Sequence, residues 1–222
     1  MINQQVYKNL IAELTSNNIT LVAVSKTKPV EEIKQLYDLG QRDFGENYVQ
    51  ELVEKQKQLP QDIRWHFIGH LQSNKVRQIV PFVHLIHGVD SLKLLKEINK
   101  QAAKINRAVD CLLQIHIATE ETKFGMNEAE LLTLLKDING IELKNVRICG
   151  LMGMASFTDD LEKVRGEFKQ LRRLFDRVKR QYSSSQLQFS IVSMGMTADY
   201  KMAIEEGSNM VRIGSLIFGE RN

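Results

Sequence analysis

Apolar stretches of strand length alternate along this chain with longer segments whose apolar residues recur at helical spacing. The strand-length runs fall at 19–26, 43–47, 64–69, 82–88, 109–118, 146–155, 189–193 and 210–218. Between them the 3.6-residue period predicts helices at 30–38, 49–59, 73–80, 92–106, 128–139, 161–182 and 198–206, with one more at 4–16 ahead of the first strand. Strands separated by helices imply parallel pairing through crossover connections. Eight such strands with seven intervening helices predict an α/β fold, a single (β/α)8 TIM barrel with an extra N-terminal helix, over residues 1–222. An open doubly wound sheet is the alternative. Punctuation agrees with these boundaries: Pro29 stands where a helix can begin, Gly40 where one can end, and Asp90 or Ser91 can cap the helix near Leu92. Serines at 183–185 mark a polar turn after the longest helix, and no Pro- or Gly-rich linker divides the chain.

Composition narrows the partners. At 222 residues and 43% hydrophobic content the chain can bury one substantial core, and nothing in it calls for two. Its 30 basic and 27 acidic side chains are spread along the sequence for a net charge of +3, so the balance makes no case for nucleic acid or an anionic membrane. A small-molecule partner is expected instead. Cys111 and Cys149 lie inside apolar runs, which reads as buried, reduced thiols rather than a disulfide framework or a metal site. No stretch approaches a membrane span, and the N-terminus lacks a charged start followed by an apolar segment, so a cytoplasmic protein is expected.

The candidate chemistry begins at Lys26, which closes the first apolar run (ITLVAVSK) just before Thr27-Lys28-Pro29. Strand parity puts it on the face of Val22 and Val24. In a barrel that face is the inside, and an amine projecting into the mouth is partly desolvated, which favours a neutral form nucleophilic towards carbonyls. Working residues of such barrels come from the C-terminal strand ends, with phosphate often held by the last two strand-to-helix loops. Here the seventh strand runs into Ser193-Met194-Gly195-Met196-Thr197, whose hydroxyls and backbone amides suit an anion. The eighth carries Arg212 at inward parity, followed by Gly214 and Ser215. Glu46 and Asn47 end the second strand, and His70 to Lys75 follow the third. A strand-end lysine, a two-loop phosphate site and an inward arginine together suggest a phosphorylated aldehyde held as a Schiff base. Pyridoxal 5′-phosphate leads that class, with the arginine as partner for its pyridine nitrogen.

Taken singly, each residue has a plainer reading. Lys26 suits a surface strand end, Arg212 an ion pair, Ser193 and Thr197 a turn or helix cap, and Asn47 a cap. The five histidines lack recognisable ligand spacing, so no metal is expected. The basic helix at 161–182 keeps an apolar stripe inward and its arginines and lysines outward, which reads as a solvated face rather than a nucleic-acid surface.

Seven ordered blocks bring these residues together: AVSKTKP (23–29), FGENYVQE (44–51), WHFIGHLQSNK (65–75), HGVDSLKL (87–94), GLMGMA (150–155), SMGMTADY (193–200) and VRIGSLIFGER (211–221). With them the chain resembles the pyridoxal phosphate homeostasis proteins, whose barrel is that of the alanine racemase N-terminal domain, a fold-type III cofactor-binding barrel. The resemblance implies that Lys26 carries the Schiff base, that Asn47 lies near the cofactor, that Ser193, Thr197, Gly214 and Ser215 hold its phosphate, and that Arg212 faces the pyridine nitrogen. Two positions depart from the family's pattern. His116 stands where asparagine is common, and Thr197 where serine is common, which keeps the hydroxyl. Lys123-Phe124-Gly125 is similar to the family's Lys-x-Gly, and the loop at 120–125 is placed to serve as a lid.

A permanent cation opposite the pyridine nitrogen weakens the ring as an electron sink. The related racemases also draw an acid/base tyrosine from a second domain, whereas this chain ends at Asn222 just after the eighth strand. The expected function is therefore intracellular binding, homeostasis and delivery of pyridoxal phosphate, without turnover of its own, by a monomer whose partners are the cofactor and apo-enzymes that use it. The alternatives are a weak amino-acid racemase using the same cofactor, or a cofactor-independent Schiff-base aldolase.

Overall fold

In the computed structural model the described residues are 2–119, 124–138, 140–182, 184 and 186–219. Eight parallel strands close into a barrel in sequence order. They are β1 (Thr20–Val24), β2 (Asp43–Glu46), β3 (Arg64–Phe67), β4 (Leu85–Val89), β5 (Val109–Ile115), β6 (Val146–Gly153), β7 (Leu187–Ser193) and β8 (Met210–Ile213). The helices are α1 (Gln4–Ser16), α2 (Val30–Asp38), α3 (Val49–Gln58), α4 (Val76–Ile79), α5 (Leu92–Ala103), α6 (Glu128–Ile138), α7 (Leu161–Gln181), α8 (Tyr200–Glu205) and α9 (Ser215–Phe218). The closed TIM barrel and the extra N-terminal helix are as the periodicity predicts.

The boundaries differ where an apolar run does not distinguish strand from helix. The run at 210–218 divides, with β8 ending at Ile213 and residues 215–218 turning into α9 after Gly214. Lys26 lies two residues beyond the end of β1 rather than within it. The segment at 73–80 is a 3₁₀ turn, Ser73–Lys75, running into α4. Ser91 caps α5 by accepting from the Leu94 amide. Lys123, most of the proposed lid, Ser183, Ser185 and Arg221 lie outside the described residues.

Two apolar layers result from strand alternation. Leu21 and Ala23 face the helices, while Val22 packs inside the barrel with Leu85, Leu112, Cys149, Met152 and Met210. The register of β6 against β7 shifts between Ile148 and Gly150, which lets both Cys149 and Met152 point inward although they are three apart. Gly150 is required at that shift, because a Cβ there would lie 1.8 Å from the Ile191 carbonyl oxygen. The cysteines are free, and burial pushes the Cys111 thiol well up and that of Cys149 to about 11, so both stay as thiols. Among the described residues no helix is long and apolar enough to cross a membrane.

The seam between β7 and β8 pairs at a single position, Ser193 with Met210. Side chains complete it. Ser208 Oγ donates to the Met194 carbonyl at 2.7 Å, Asn209 Oδ1 accepts from the Val192 amide at 2.8 Å, and Asn209 Nδ2 donates to the Ser190 carbonyl at 2.7 Å. Leu112 is fully buried in the inner layer, so Leu112→Ala, which empties that position, is expected to cost about 2–5 kcal/mol. Urea denaturation reads this as a lower midpoint, and an unchanged midpoint would show that the inner layer does not support closure.

Candidate functional site

A cavity of about 560 Å³ opens at the C-terminal end of the barrel. Lys26, Asn47, Thr197, Arg212, Gly214 and Ser215 all line it. These residues come from the ends of β1, β2, β7 and β8, so barrel closure brings together positions up to 189 apart in sequence (26 and 215). Ser193 is the exception. It is fully buried and does not line the cavity; its hydroxyl lies behind Arg212 instead.

Lys26 sits on a clamped turn. The Lys28 amide donates to the Ser25 carbonyl at 3.0 Å, closing a four-residue turn with Thr27 at φ +64°. That left-handed conformation disfavours a β-branched residue and is held only where its surroundings insist on it. A buried ionic cluster supplies the restraint on both sides of Lys26. Lys55 Nζ donates to the Ser25 carbonyl at 2.8 Å, to Glu46 Oε1 at 2.8 Å and to Glu51 Oε1 at 2.6 Å. Glu46 Oε1 also accepts from Ser25 Oγ at 2.6 Å, and Glu51 Oε1 from the Thr27 amide at 2.6 Å. Burial pushes the Glu46 carboxyl up, opposed by Lys55 and Ser25. The second carboxylate oxygen of Glu46 is buried without a hydrogen bond, so Glu46 joins the cluster through Oε1 alone.

The two terminal loops meet across the cavity, with Ser215 Oγ 3.3 Å from Thr197 Oγ1. In the first loop Gly195, at φ +95°, makes a bend that an L side chain resists; a Cβ there would also lie 2.6 Å from that of Ala203. Asp199 and Tyr200 donate backbone N–H groups to the Met196 carbonyl, which places the Thr197 and Ala198 amides at the leading edge of the turn. In the second, Ile217 and Phe218 amides close on the Gly214 carbonyl, and the Ser215 and Leu216 amides precede them. Lys28 Nζ ties this loop to the Lys26 turn through the carbonyls of Phe218 and Gly219 at 3.0 and 3.4 Å.

Arg212 is 4% exposed. Its NH1 donates to the carbonyl and hydroxyl oxygens of Ser193 at 2.9 and 2.7 Å, and NH2 to the Gly153 carbonyl at 3.1 Å. Burial lowers its pKa to about 10, which leaves it a cation at neutral pH. Behind Ser193 a file of polar side chains crosses the barrel. Ser193 Oγ lies 3.2 Å from His87 Nδ1, His87 Nε2 lies 2.9 Å from His66 Nδ1, and His66 Nε2 lies 3.0 Å from Asp43 Oδ1. Arg64 closes the far end with two bonds to Asp43, at 2.7 and 2.5 Å. Burial pushes the Asp43 carboxyl up, and the hydrogen bonds and charges of Arg64 and His66 overcome this and hold it well below the ordinary carboxylate range.

Several sequence expectations are redrawn by this geometry. Asn47 is not the cap of α3, which begins after Tyr48 without a side-chain cap bond. The end of β5 turns to another task, since Gln114 Nε2 donates to the Phe124 carbonyl at 3.1 Å and the His116 amide to that of Met126 at 2.9 Å. Asp43, His66 and His84 bring ligand-type atoms within 4.8 Å of one another at the opposite end of the barrel, a grouping hidden by their separation in sequence; both Asp43 oxygens already accept hydrogen bonds there. The lysine-glutamate clamp had one local signal, the Glu51/Lys55 spacing of four. The histidine file had only the presence of polar residues at inward positions of apolar strands.

The alanine racemase N-terminal domain family matches residues 5–222. The pyridoxal phosphate homeostasis protein of Aquifex aeolicus is 42% identical over 206 residues, covering 92% of this chain and 88% of its own. The chain belongs to the pyridoxal phosphate homeostasis protein family. The human member is 40% identical over 212 residues, which span 91% of this chain and 76% of the human one. Among solved structures, PipY of Synechococcus elongatus, a homologue with PLP bound, superposes with a TM-score of 0.85 at 34% identity, covering 96% of this chain and 100% of that one. An alanine racemase of Clostridium difficile matches at a TM-score of 0.77 and 16% identity over 99% of this chain and 60% of its own, a likeness of fold alone.

Two measurements check the electrostatics of this family member. Lys55→Met strands the buried Glu46 and is expected to cost about 3–5 kcal/mol in urea denaturation, with Glu46→Gln in the same chain recovering part of the loss. A cost no larger than that of an exposed lysine would refute the clamp. Asp43 has a folded-state pKa below its unfolded value of about 3.9, so its stabilisation is present above about pH 4 and lost as pH falls through the folded value. Asp43→Asn is therefore expected to be less stable than wild type at pH 7, with the gap narrowing below about pH 4; a gap that is constant with pH contradicts the assignment.

Proposed function

We propose that this protein holds pyridoxal 5′-phosphate covalently on Lys26 and releases it to enzymes that need it. The observation that carries the reading is a single cavity faced by Lys26 on one side, Arg212 on another and the Thr197–Ser215 hydroxyl pair between the last two loops. Its volume of about 560 Å³ falls within the range of small-molecule sites. When bound, the cofactor supplies an aldehyde that condenses reversibly with an amine, losing water. Lys26 provides that amine from a turn whose neighbours are fixed. Thr197, Gly214 and Ser215, with the adjoining amides, provide donors for a phosphate. Ser193 is left out of that set, since its hydroxyl is engaged with Arg212 and His87.

Arg212 supports binding over turnover. A cation held by three hydrogen bonds cannot accept a proton from a ring nitrogen and disfavours protonating it. Among the described residues lining the cavity, the titratable groups are Lys26, Lys28, Asp199 and Arg212. Asp199 accepts from the Met196 amide at 2.6 Å, and Lys28 donates to the α9 carbonyls. This supports a carrier over a racemase, whose reaction needs a proton donor and acceptor about the substrate carbon.

Purified protein supplied with pyridoxal phosphate is expected to turn yellow, and borohydride reduction with peptide mapping to place the adduct on Lys26. Lys26→Ala is expected to stay colourless while keeping its fold. An equal adduct on another lysine would sink the assignment, and turnover of an alanine or serine enantiomer, lost in Lys26→Ala, would move the protein from carrier to enzyme.

A further inference from the structure

The file of side chains behind Arg212 has a direction, and it follows from what stands at its two ends. A guanidinium only donates. Ser193 Oγ therefore accepts from Arg212, and its own proton is free to point to His87 Nδ1, 3.2 Å away. At the other end Asp43 is an ionised carboxylate paired with Arg64, and an ionised carboxylate only accepts. His66 must then present Nε2–H to it. With both rings neutral, His66 Nδ1 is bare and accepts from His87 Nε2–H, which leaves His87 Nδ1 bare to accept from Ser193. For two neutral imidazoles, then, every bond runs from Arg212 towards Asp43.

We propose that His87 is a positioning residue for the cofactor's ring: through Ser193 it fixes the face that Arg212 presents to the pyridine nitrogen, and His66 and Asp43 fix His87 in the tautomer this requires. The proposal rests on the cofactor reading above and deepens it. With His87 as acceptor, the serine proton turns away from the guanidinium and a lone pair turns towards it. Without that acceptor the hydroxyl is free to rotate its proton towards a cation, weakening one of the bonds that hold the arginine in plane. The ring also has to stay uncharged. Among the described residues, the charged groups acting on it are cationic or become so on protonation: Arg212 from β8, His66 from β3 and His84 ahead of β4. Burial and these three neighbours hold the His87 imidazole well below its ordinary value. Asp43 on β2, paired with Arg64 on β3, lies against the His66 and His84 rings rather than that of His87. The file joins the floor of the barrel, where Asp43 and Arg64 open β2 and β3, to the cavity at its mouth.

The test uses full-length wild type, His87→Leu and Ser193→Ala, each first shown to be folded by circular dichroism. Each is titrated with pyridoxal 5′-phosphate and with its deaza analogue, in which carbon replaces the ring nitrogen. Both variants are expected to bind the natural cofactor about tenfold more weakly, the order of one charge-assisted hydrogen bond, with less than a twofold change for the analogue. Equal losses for both ligands would mean a distorted pocket and overturn the proposal, as would no loss for either. In wild-type protein labelled with ¹⁵N-histidine, the shifts of His66 and His87 are expected to report Nε2–H on both rings; an Nδ1–H on either refutes the direction of the file whether or not cofactor binds. If wild type shows the expected tautomers but takes up neither ligand, the cofactor reading itself is what has failed, and the positioning role falls with it.

Discussion

A guanidinium held inside an apolar barrel is the constraint on which the rest of this structure depends. Arg212 loses almost all of its hydration at the head of the inner core, and a buried charge persists only when its donors are met. The barrel meets them with the carbonyls of Ser193 and Gly153 and the hydroxyl of Ser193, supplied by β7 and β6. Each of those acceptors has to be placed in turn. The weak β7–β8 ladder is replaced by Ser208, Asn209 and the Arg212 amide, which donates to the Gly195 carbonyl at 3.0 Å. The same strand seam thus satisfies the arginine and shapes the first of the two terminal loops.

The opposite wall of the cavity solves a related problem with opposite charges. Lys55 is a buried cation shared by two carboxylates, and the bonds left over reach the residues on each side of Lys26. A strained left-handed threonine is thereby held in place. Two buried ionic groups therefore flank one cavity: Arg212 lines it directly, and the Lys55 cluster holds the turn that carries Lys26. This is an expensive arrangement for stability alone, since well-packed apolar residues can do as well. Its sense lies in orientation: the amine and the guanidinium are set on separate strands, and their relation is decided by the barrel.

How much of this could be read beforehand differs from residue to residue. Arg212 was legible because inward parity propagates along a strand with a period of two, and Lys26 because it follows the end of an apolar strand. Thr197, Gly214 and Ser215 were legible because they follow strand ends, where barrel loops gather. The same logic misplaced Ser193, which shares the motif but not the position: it is the last residue of β7 and points under the arginine rather than into the cavity. His87 and Ser193 are 106 residues apart, and no local pattern announces such a pair.

The sequence by itself determined the alternation of strands and helices, the inward set of side chains and the membership of the family, because those properties are carried by short-range periodicity and by ordered local blocks. It could not determine where strand gives way to helix in the run that holds Arg212, since an apolar stretch of that length suits either. Which polar residues meet was decided only by closing the barrel. Closure sets the distance between β2, β3, β4 and β7 across the core, and hydrogen bonds depend on tenths of an ångström that no one-dimensional pattern contains. The strand-end lysine was written in the chain; the cavity it lines and the groups around it came from the fold.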